Sequence, residues 1–362
     1  MNAHATVAVV GGGYGGVSVA KALDDVADVV LVDASDTFVH NTAALRALAV
    51  PEWTERIFLP YDRLLARGTV RHDRAVHVDA DAVTLASGER ITADWTVLAT
   101  GSAYPLPAKF GLNDSAWAKD RLHALRAALS DTERVLLLGA GPVGLELAGE
   151  IRAAWPGKEI TLVDPGEELL PAFPEEFRAA VRAELDALGI TVLLGTGLAE
   201  LPPSSPGEAK TFTATTRDGR RVEADIWFRC HGAAPVTDYL SEEVAATARR
   251  PSGHLDVTPE LRLAGQDRIF ALGDVTALPE GKTAKAASAH AEVIAANIRT
   301  LVSGGGPLTS YTPAGPAIVL PLGPERGASY APEMGVLDAA TTSEIKGRAM
   351  MLDRFTELLG RA

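Results

Sequence analysis

Residues 7–16, VAVVGGGYGG, constrain this chain more than any other stretch. An apolar run enters Gly11, Gly12, Gly13, Tyr14, Gly15 and Gly16, and Val17 to Leu23 continues with the spacing of an amphipathic helix. The pattern predicts strand, tight turn, helix. Gly11 suits the positive φ of the turn, Gly13 allows a pyrophosphate to approach the backbone, and Gly16 allows the helix to pack close to its strand. The helix start offers free N–H groups and a positive dipole end to phosphate. Asp33 closes the unit after a second apolar run, Val29 to Val32, where its carboxylate can accept hydrogen bonds from a ribose diol. A glycine-rich turn alone is weak evidence. Flanking strands and an acid at this spacing make it a nucleotide site.

The same unit recurs near the middle of the chain. Val135 to Leu138 leads into Gly139, Ala140, Gly141, Pro142, Val143 and Gly144, then the helical LELAGEIRAA and the strand Glu159 to Val163, which ends in Asp164. Two dinucleotide folds in one chain are expected where a flavin dinucleotide is held permanently and a nicotinamide dinucleotide visits to reduce it. Later, Ile269 to Leu272 runs directly into Gly273 and Asp274, placing another carboxylate at a strand end; the competing reading is an Asp that caps the next turn.

Bulk properties exclude several other classes. A formal net charge of -13 and a pI near 5.1 argue against a nucleic-acid surface and against an electrostatic hold on anionic lipid. Cys230 is the sole cysteine, so no intrachain disulfide and no dithiol relay are available, and it reads as a small buried hydrophobe. No metal site is expected. The N-terminus carries no signal-peptide pattern, residue 2 is Asn2 where myristoylation needs glycine, and no apolar stretch approaches the roughly eighteen residues of a membrane span. A cytoplasmic protein, at most peripheral to a membrane, is the expectation.

Taken in order, the chain shows a turn at Ser35 to Thr37 and a helix from about Thr42, with His40 and Asn41 at its mouth, where N-capping is the plainest use. Phe58 to Arg67 reads as a short helix and residues 69–91 as a small antiparallel meander. Trp95 to Ala99 is a buried strand that exits through Thr100 and Gly101. A helix over Asn113 to Ser130 precedes the second unit, whose own hairpin (Thr211 to Thr216, Arg220 to Glu223) and return strand (Asp225 to Cys230, then His231 and Gly232) echo the first. Ala284 to Leu301 is a helix with Lys285 in its first turn. The remainder supplies strand-like pieces at Ala317 to Leu322 and Gly335 to Ala340 and a final helix over Met350 to Leu359, whose apolar side suits a core or dimer contact better than an acceptor- or membrane-facing surface. The expected fold is α/β with two Rossmann-like dinucleotide-binding domains and a small C-terminal α+β domain. The expected boundaries are 1–112 with 250–306 for the flavin domain, 113–249 for the nicotinamide domain and 307–362 for the interface domain.

Over nearly its whole length the sequence resembles the two-dinucleotide-domain flavoproteins of the pyridine nucleotide-disulfide oxidoreductase superfamily. Within them it is similar to the apoptosis-inducing-factor homologues that include ferroptosis suppressor protein, with type II NADH dehydrogenases more distant. VVGGGYGG, FVHNTAALR, VLATGSAYPLPAKF, GAGPVGLELAGEI, IFALGDV and TAKAASAHAEVIAANI carry the resemblance. It implies that FAD is held by Gly11, Gly13, Tyr14, Gly16, Asp33, Val76, Thr100, Gly101, Gly273, Asp274 and Ala284, with His40 and Asn41 approaching the flavin ring. It implies NADH at Gly139, Gly141, Pro142, Val143, Gly144, Glu146, Asp164 and Gly232. Asp164 favours NADH over NADPH, since a carboxylate repels a 2′-phosphate. Lys285 would lie near the flavin pyrimidine edge, where a cation favours the anionic reduced ring.

The expected activity is that of an FAD-dependent NADH oxidoreductase. Its acceptor is expected to be a quinone-like small molecule, or a small redox protein as for a ferredoxin or rubredoxin reductase, and a homodimer is a possible assembly. From a different class, an NADH-gated redox sensor with little turnover would keep the same nucleotide residues.

Overall fold

Apolar runs that end in glycine turns become parallel strands in two separate sheets, in a computed structural model that describes residues 5–112 and 114–361. The chain begins with β1 (Thr6–Val10), α1 (Tyr14–Leu23), β2 (Asp28–Asp33), α2 (Ala44–Ala49), β3 (Thr69–His72) and β4 (Trp95–Leu98). After α3 (Ser115–Ser130) come β5 (Arg134–Leu138), α4 (Pro142–Ala154), β6 (Glu159–Val163), α5 (Glu175–Ala187), β7 (Thr191–Leu193) and β8 (Ile226–Arg229). Then follow β9 (Ile269–Ala271), α6 (Ala284–Val302), β10 (Ile318–Pro321), β11 (Gly327–Ala331), β12 (Gly335–Leu337) and α7 (Leu352–Leu358).

The first sheet has the order β9-β4-β1-β2-β3 and the second β7-β6-β5-β8, both parallel; β10-β11-β12 form a separate antiparallel sheet. This is an α/β fold with two Rossmann-like units and a small C-terminal α+β layer. Because β9 pairs with β4, residues beyond the second sheet complete the first. Register pairs Val10 with Val32 and with Leu98, and Leu98 with Ala271, so the strands carrying the first site end level with one another.

Helix packing depends on glycine where backbones meet. A Cβ at Gly15 of α1 would overlap Leu272 and stand 3.0 Å from the Ala287 carbonyl oxygen of α6. A Cβ at Gly149 of α4 would overlap the backbone of Leu322, just past β10, so the C-terminal layer lies directly on the second unit's helix. Helix α2 is buried at all six residues and contacts both α3 and α4. Its Arg46 pairs with Glu150 of α4 in a buried ion pair, and Arg46 Nη2 also donates to the Gly347 carbonyl at 2.8 Å. Three parts of the chain meet at that guanidinium.

Several local expectations are corrected. Phe58 to Arg67 is not a helix: Phe58–Pro60 is a strand paired with Thr37–Val39, followed by a single 3-10 turn. Phe58 buries its ring against Phe110, and Pro60 disfavours helical backbone at Leu59 before it. Thr37 accordingly belongs to a strand. The expected meander loses its first strand, because Thr69–His72 pairs in parallel with β2; only Ala75–Val78, Ala82–Leu85 and Arg90–Thr92 form it. β11, unread in the sequence, is the central strand of the C-terminal sheet. Gly335 to Ala340 divides into β12 and a short helix from Ala339. The final helix starts at Leu352, because Met350 and Met351 both hold left-handed backbone, φ 50° and 59°. Met350, Leu352, Phe355 and Leu359 are core residues, whereas Met351 is exposed. Asn2 and the expected helix start at Asn113 lie outside the described residues.

Candidate functional site

The first site is assembled from four strand ends. β1 delivers Gly11 at φ 107°, β2 delivers Asp33, β4 exits through Thr100 and Gly101, and β9 exits through Gly273 and Asp274. A Cβ at Gly11 would overlap the Ala99 carbonyl and one at Gly16 the Gly11 carbonyl, so both glycines are obligatory. Asp33 accepts the Gly12 N–H on one oxygen and the Ser35 N–H on the other at 2.6 Å. Burial pushes its carboxyl above the usual range, against those two donors, which act to lower it. The Tyr61 hydroxyl donates to the Gly12 carbonyl at 3.0 Å and sits where a Cβ at residue 12 would be.

Asp274 faces a cation and a hydroxyl. Ser102 Oγ donates to its Oδ2 at 2.6 Å, and Lys109 Nζ lies 3.3 Å from the same oxygen while donating to the Ser102 carbonyl at 2.8 Å. Thr100 Oγ1 donates to the Val236 carbonyl at 2.6 Å, and Ser102–Ala103 pairs with Ala234–Pro235, so this corner also joins the two units. Ala284 and Lys285 open α6; Lys285 is exposed and makes no hydrogen bond or ion pair among the described residues. Val76 is 40 % exposed, at the position the strand register skips between Ala75 and His77.

His40 is enclosed. Its Nε2 lies 2.8 Å from the Met350 carbonyl, which can only accept, so the ring proton sits on Nε2; Nδ1 then faces the Tyr14 hydroxyl at 3.3 Å. Tyr14, Phe38 and Phe355 pack around the imidazole. Burial lowers its pKa to about 4, which keeps it neutral. Tyr14 in turn takes the Thr42 N–H at 2.8 Å. Asn41 is half-buried in the adjoining 3-10 turn, which has no side-chain cap.

The second site repeats the first. Gly139 holds φ 114°, with the Cys230 carbonyl 2.8 Å from where its Cβ would stand, and a Cβ at Gly144 would overlap the Gly139 carbonyl. Asp164 accepts from the Ala140 and Gly166 N–H groups, each at 2.7 Å, matching the arrangement at Asp33. Pro142 is the first residue of α4, Val143 follows it, and Gly232 is exposed at φ 95°. Glu146, one turn further along α4, pairs with Lys346 of the C-terminal layer at 2.7 Å, each side chain 13 % exposed. Cys230 is buried, which pushes its thiol up to about 12 and removes it as a nucleophile.

Both sites fit a dinucleotide by a common observation. No atom lies within 4 Å of the Cβ positions of Gly13, Gly101, Gly141 and Gly232, so these backbones border open space. The caps of α1 and α4, Gly13 and Gly141, make no side-chain bond, as is also true at α2, α5 and α7, but here the cap is a glycine that borders open space at the end of a parallel strand. The first N–H groups of α1 and α4 are left for a ligand, and phosphate is the group such ends receive. Sequence reading did not single out Tyr61, Lys109 or Lys346. Lys109 stands within the quoted PAKF stretch, but nothing in its local spacing points to Asp274, 165 residues away.

The pyridine nucleotide-disulphide oxidoreductase family matches residues 5–292. Apoptosis-inducing factor homolog B of Dictyostelium discoideum is 28% identical over 373 residues, 98% of this chain and 96% of that protein. Ferroptosis suppressor protein 1 of Taeniopygia guttata is 31% identical over 331 residues, 89% of this chain and 87% of that protein. Among solved structures, the sulfide:quinone oxidoreductase of Aquifex aeolicus superposes with a TM-score of 0.77 at 17% identity, covering 99% of this chain and 91% of that one. No described helix is long and apolar enough to cross a membrane.

Proposed function

The chain belongs to the pyridine nucleotide-disulphide oxidoreductase family and is an FAD-dependent NAD(P)H oxidoreductase; from that premise we propose that it takes hydride from NADH and passes electrons to a quinone. Residues 1–112 with 250–306 form the flavin domain in this reading, residues 113–249 the nicotinamide domain and residues 307–362 an interface layer. The observation that carries the reading is the pair of uncapped, glycine-lined helix starts, each with an aspartate bracing its turn.

Gly11, Gly13 and Gly16 admit the FAD pyrophosphate to the α1 N–H groups, and Asp33 has lone pairs left to accept ribose hydroxyls after its two backbone bonds. Asp274, oriented by Ser102 and Lys109, accepts from the flavin polyol. Bound there, FAD supplies hydride acceptance from a reduced nicotinamide and onward electron transfer. Gly139, Gly141, Pro142, Val143 and Gly144 receive the visiting pyrophosphate, with Glu146 and Gly232 beside it. Asp164 receives the adenosine ribose and disfavours a 2′-phosphate. Asn41 borders the flavin in this reading, and His40, enclosed behind Tyr14, supports that wall from within rather than touching the ring. The neutral imidazole, its proton already committed to Met350, contributes shape and polarity and moves no proton. Val76, Thr100, Gly101 and Ala284 line the FAD, and exposed Lys285 favours the anionic reduced ring.

With one buried cysteine there is no dithiol relay, so electrons leave directly to the acceptor. A net charge of -13 repels an acidic redox protein and leaves a neutral quinone unopposed. Steady-state NADH oxidation with a short-chain quinone, set against reduced-nicotinamide oxidation with ferredoxin or rubredoxin, tests the acceptor. Turnover with quinone at least about tenfold above oxygen alone is expected, a margin of roughly 1.4 kcal/mol in the barrier. Turnover only with a redox protein, or with no acceptor at all, would overturn it.

A further inference from the structure

A chain of buried hydrogen bonds outside both glycine turns ends on the backbone of the Gly273–Asp274 turn. The Gly273 N–H donates to His290 Nδ1 at 3.0 Å, and His290 Nε2 lies 2.6 Å from Glu280 Oε1. Glu280 Oε2 accepts from the Tyr311 hydroxyl at 2.7 Å. The tyrosine ring also meets the imidazole edge-on, with centroids 4.4 Å apart. The His290 and Glu280 side chains are 1 % and 4 % exposed.

The chemistry admits one arrangement of protons. A backbone N–H can only donate, so Nδ1 presents its lone pair and the ring proton resides on Nε2, donated to Glu280. A second proton on Nδ1 would point at the Gly273 N–H, and burial independently depresses the imidazole against the pull of Glu280. Tyr311 fixes the far carboxylate oxygen.

The far end of this chain is where it matters. Gly273 holds a left-handed backbone, φ 68°, and its carbonyl accepts from the Thr276 N–H at 3.1 Å and from the Thr276 hydroxyl at 2.9 Å. Both backbone polar groups of Gly273 therefore have named partners, and the next residue is Asp274.

We propose that His290, held as the Nε2–H tautomer by Glu280 and Tyr311, is a positioning residue that sets the Gly273–Asp274 turn for FAD. This rests on the reading that Asp274 binds FAD. His290 stands at the end of the segment the family matches, residues 5–292, and Tyr311 beyond it. The relay thus ties the chain after α6 to the cofactor turn.

The test uses the full chain with His290→Leu, His290→Asn, Tyr311→Phe and Asp274→Ala, an FAD titration of each stripped protein, and nitrogen NMR of labelled histidine. Asparagine places its amide oxygen two bonds from Cβ, as Nδ1 is, and so retains an acceptor for Gly273. His290→Leu is expected to weaken FAD about tenfold, the worth of one buried hydrogen bond, His290→Asn to recover most of that, and Tyr311→Phe to lose about threefold. The wild-type His290 resonances are expected to show a bare Nδ1 and a protonated Nε2. FAD bound by His290→Leu as tightly as by wild type, His290→Asn no better than His290→Leu, or a proton on Nδ1 would overturn the proposal. If His290→Leu does not fold, the asparagine and phenylalanine variants and the tautomer decide it in the same way. If Asp274→Ala binds FAD normally, the underlying site assignment fails as well; if Asp274→Ala loses FAD while His290→Leu keeps it, only the relay fails.

Discussion

The two glycine turns share one local geometry and differ in what surrounds it. Gly11 and Gly139 hold φ 107° and 114°, and Asp33 and Asp164 each brace the second residue of the turn and the residue two positions beyond themselves. Around the first turn the chain adds Tyr61 over Gly12, the Gly273–Asp274 turn from β9, and α6 packed on Gly15. Around the second, Pro165 to Glu168 and His231 to Ala234 are exposed. The strand-turn-helix frame makes a nucleotide site. Its surroundings differ: Tyr61, β9 and α6 pack about the first turn, exposed loops flank the second, and the phosphate-facing Gly13 is itself exposed where Gly141 is half-buried.

The largest effect on that comparison is expected where the two units are joined. Arg46→Ala leaves Glu150 buried without its partner and removes the bond to Gly347, at a cost of about 3–5 kcal/mol. Denaturant unfolding is the measurement; Arg46→Met with Glu150→Leu is expected to recover most of the loss, because the pair is costly to bury as well as to break.

Acid should act on the first unit before the second. Burial lowers His40 from 6.5 to about 4, so between those values the unfolded chain binds a proton that the folded chain rejects. Its contribution is complete above pH 6.5 and is lost as pH falls toward 4, by on the order of 3 kcal/mol. Melting temperatures across that window are expected to fall steeply in the wild type and less steeply in His40→Leu. Equal slopes would remove His40 from the account.

A smaller effect separates the sites directly. Gly16→Ala forces a Cβ onto the Gly11 carbonyl, and overpacking of this kind costs about 1–3 kcal/mol, which would weaken FAD by about fivefold to a hundredfold while the second site keeps its NADH affinity. Isothermal titration with each nucleotide checks the split. Smaller again is Tyr61→Phe, which removes one hydrogen bond to Gly12 and is expected to cost FAD about 1 kcal/mol, with NADH binding unchanged.

Legibility in the sequence follows the range of the interactions. Both glycine turns, Asp33 and Asp164 were readable because strand, turn and helix follow one another within some thirty residues and each glycine has a local steric reason. Phe58–Pro60 escapes a local reading because its partner strand lies some twenty residues upstream and a three-residue run carries no period; Pro60, which disfavours helical backbone at Leu59, is the available warning. Thr69–His72 reads as part of the meander because alternation cannot tell a parallel edge strand from a hairpin strand. His40 lies against Tyr14 of the first turn, but its burial among Phe38, Tyr14 and Phe355 depends on α7, more than 300 residues on, so no local spacing shows it enclosed. Lys109, Lys346 and the Glu280–His290 pair meet their partners only through tertiary contact, so no local spacing marks them.

The most direct measurement is an anaerobic visible spectrum during NADH addition, recorded for the wild type and for Gly144→Ala, whose new Cβ would strike the Gly139 carbonyl of the second turn alone. Both proteins are expected to purify yellow. The wild type should bleach promptly with NADH and slowly with NADPH, and Gly144→Ala should keep its flavin and remain oxidised at the same NADH concentration. A Gly144→Ala protein that bleaches as fast as the wild type, or one that loses its flavin, would contradict the assignment of FAD to the first turn and NADH to the second.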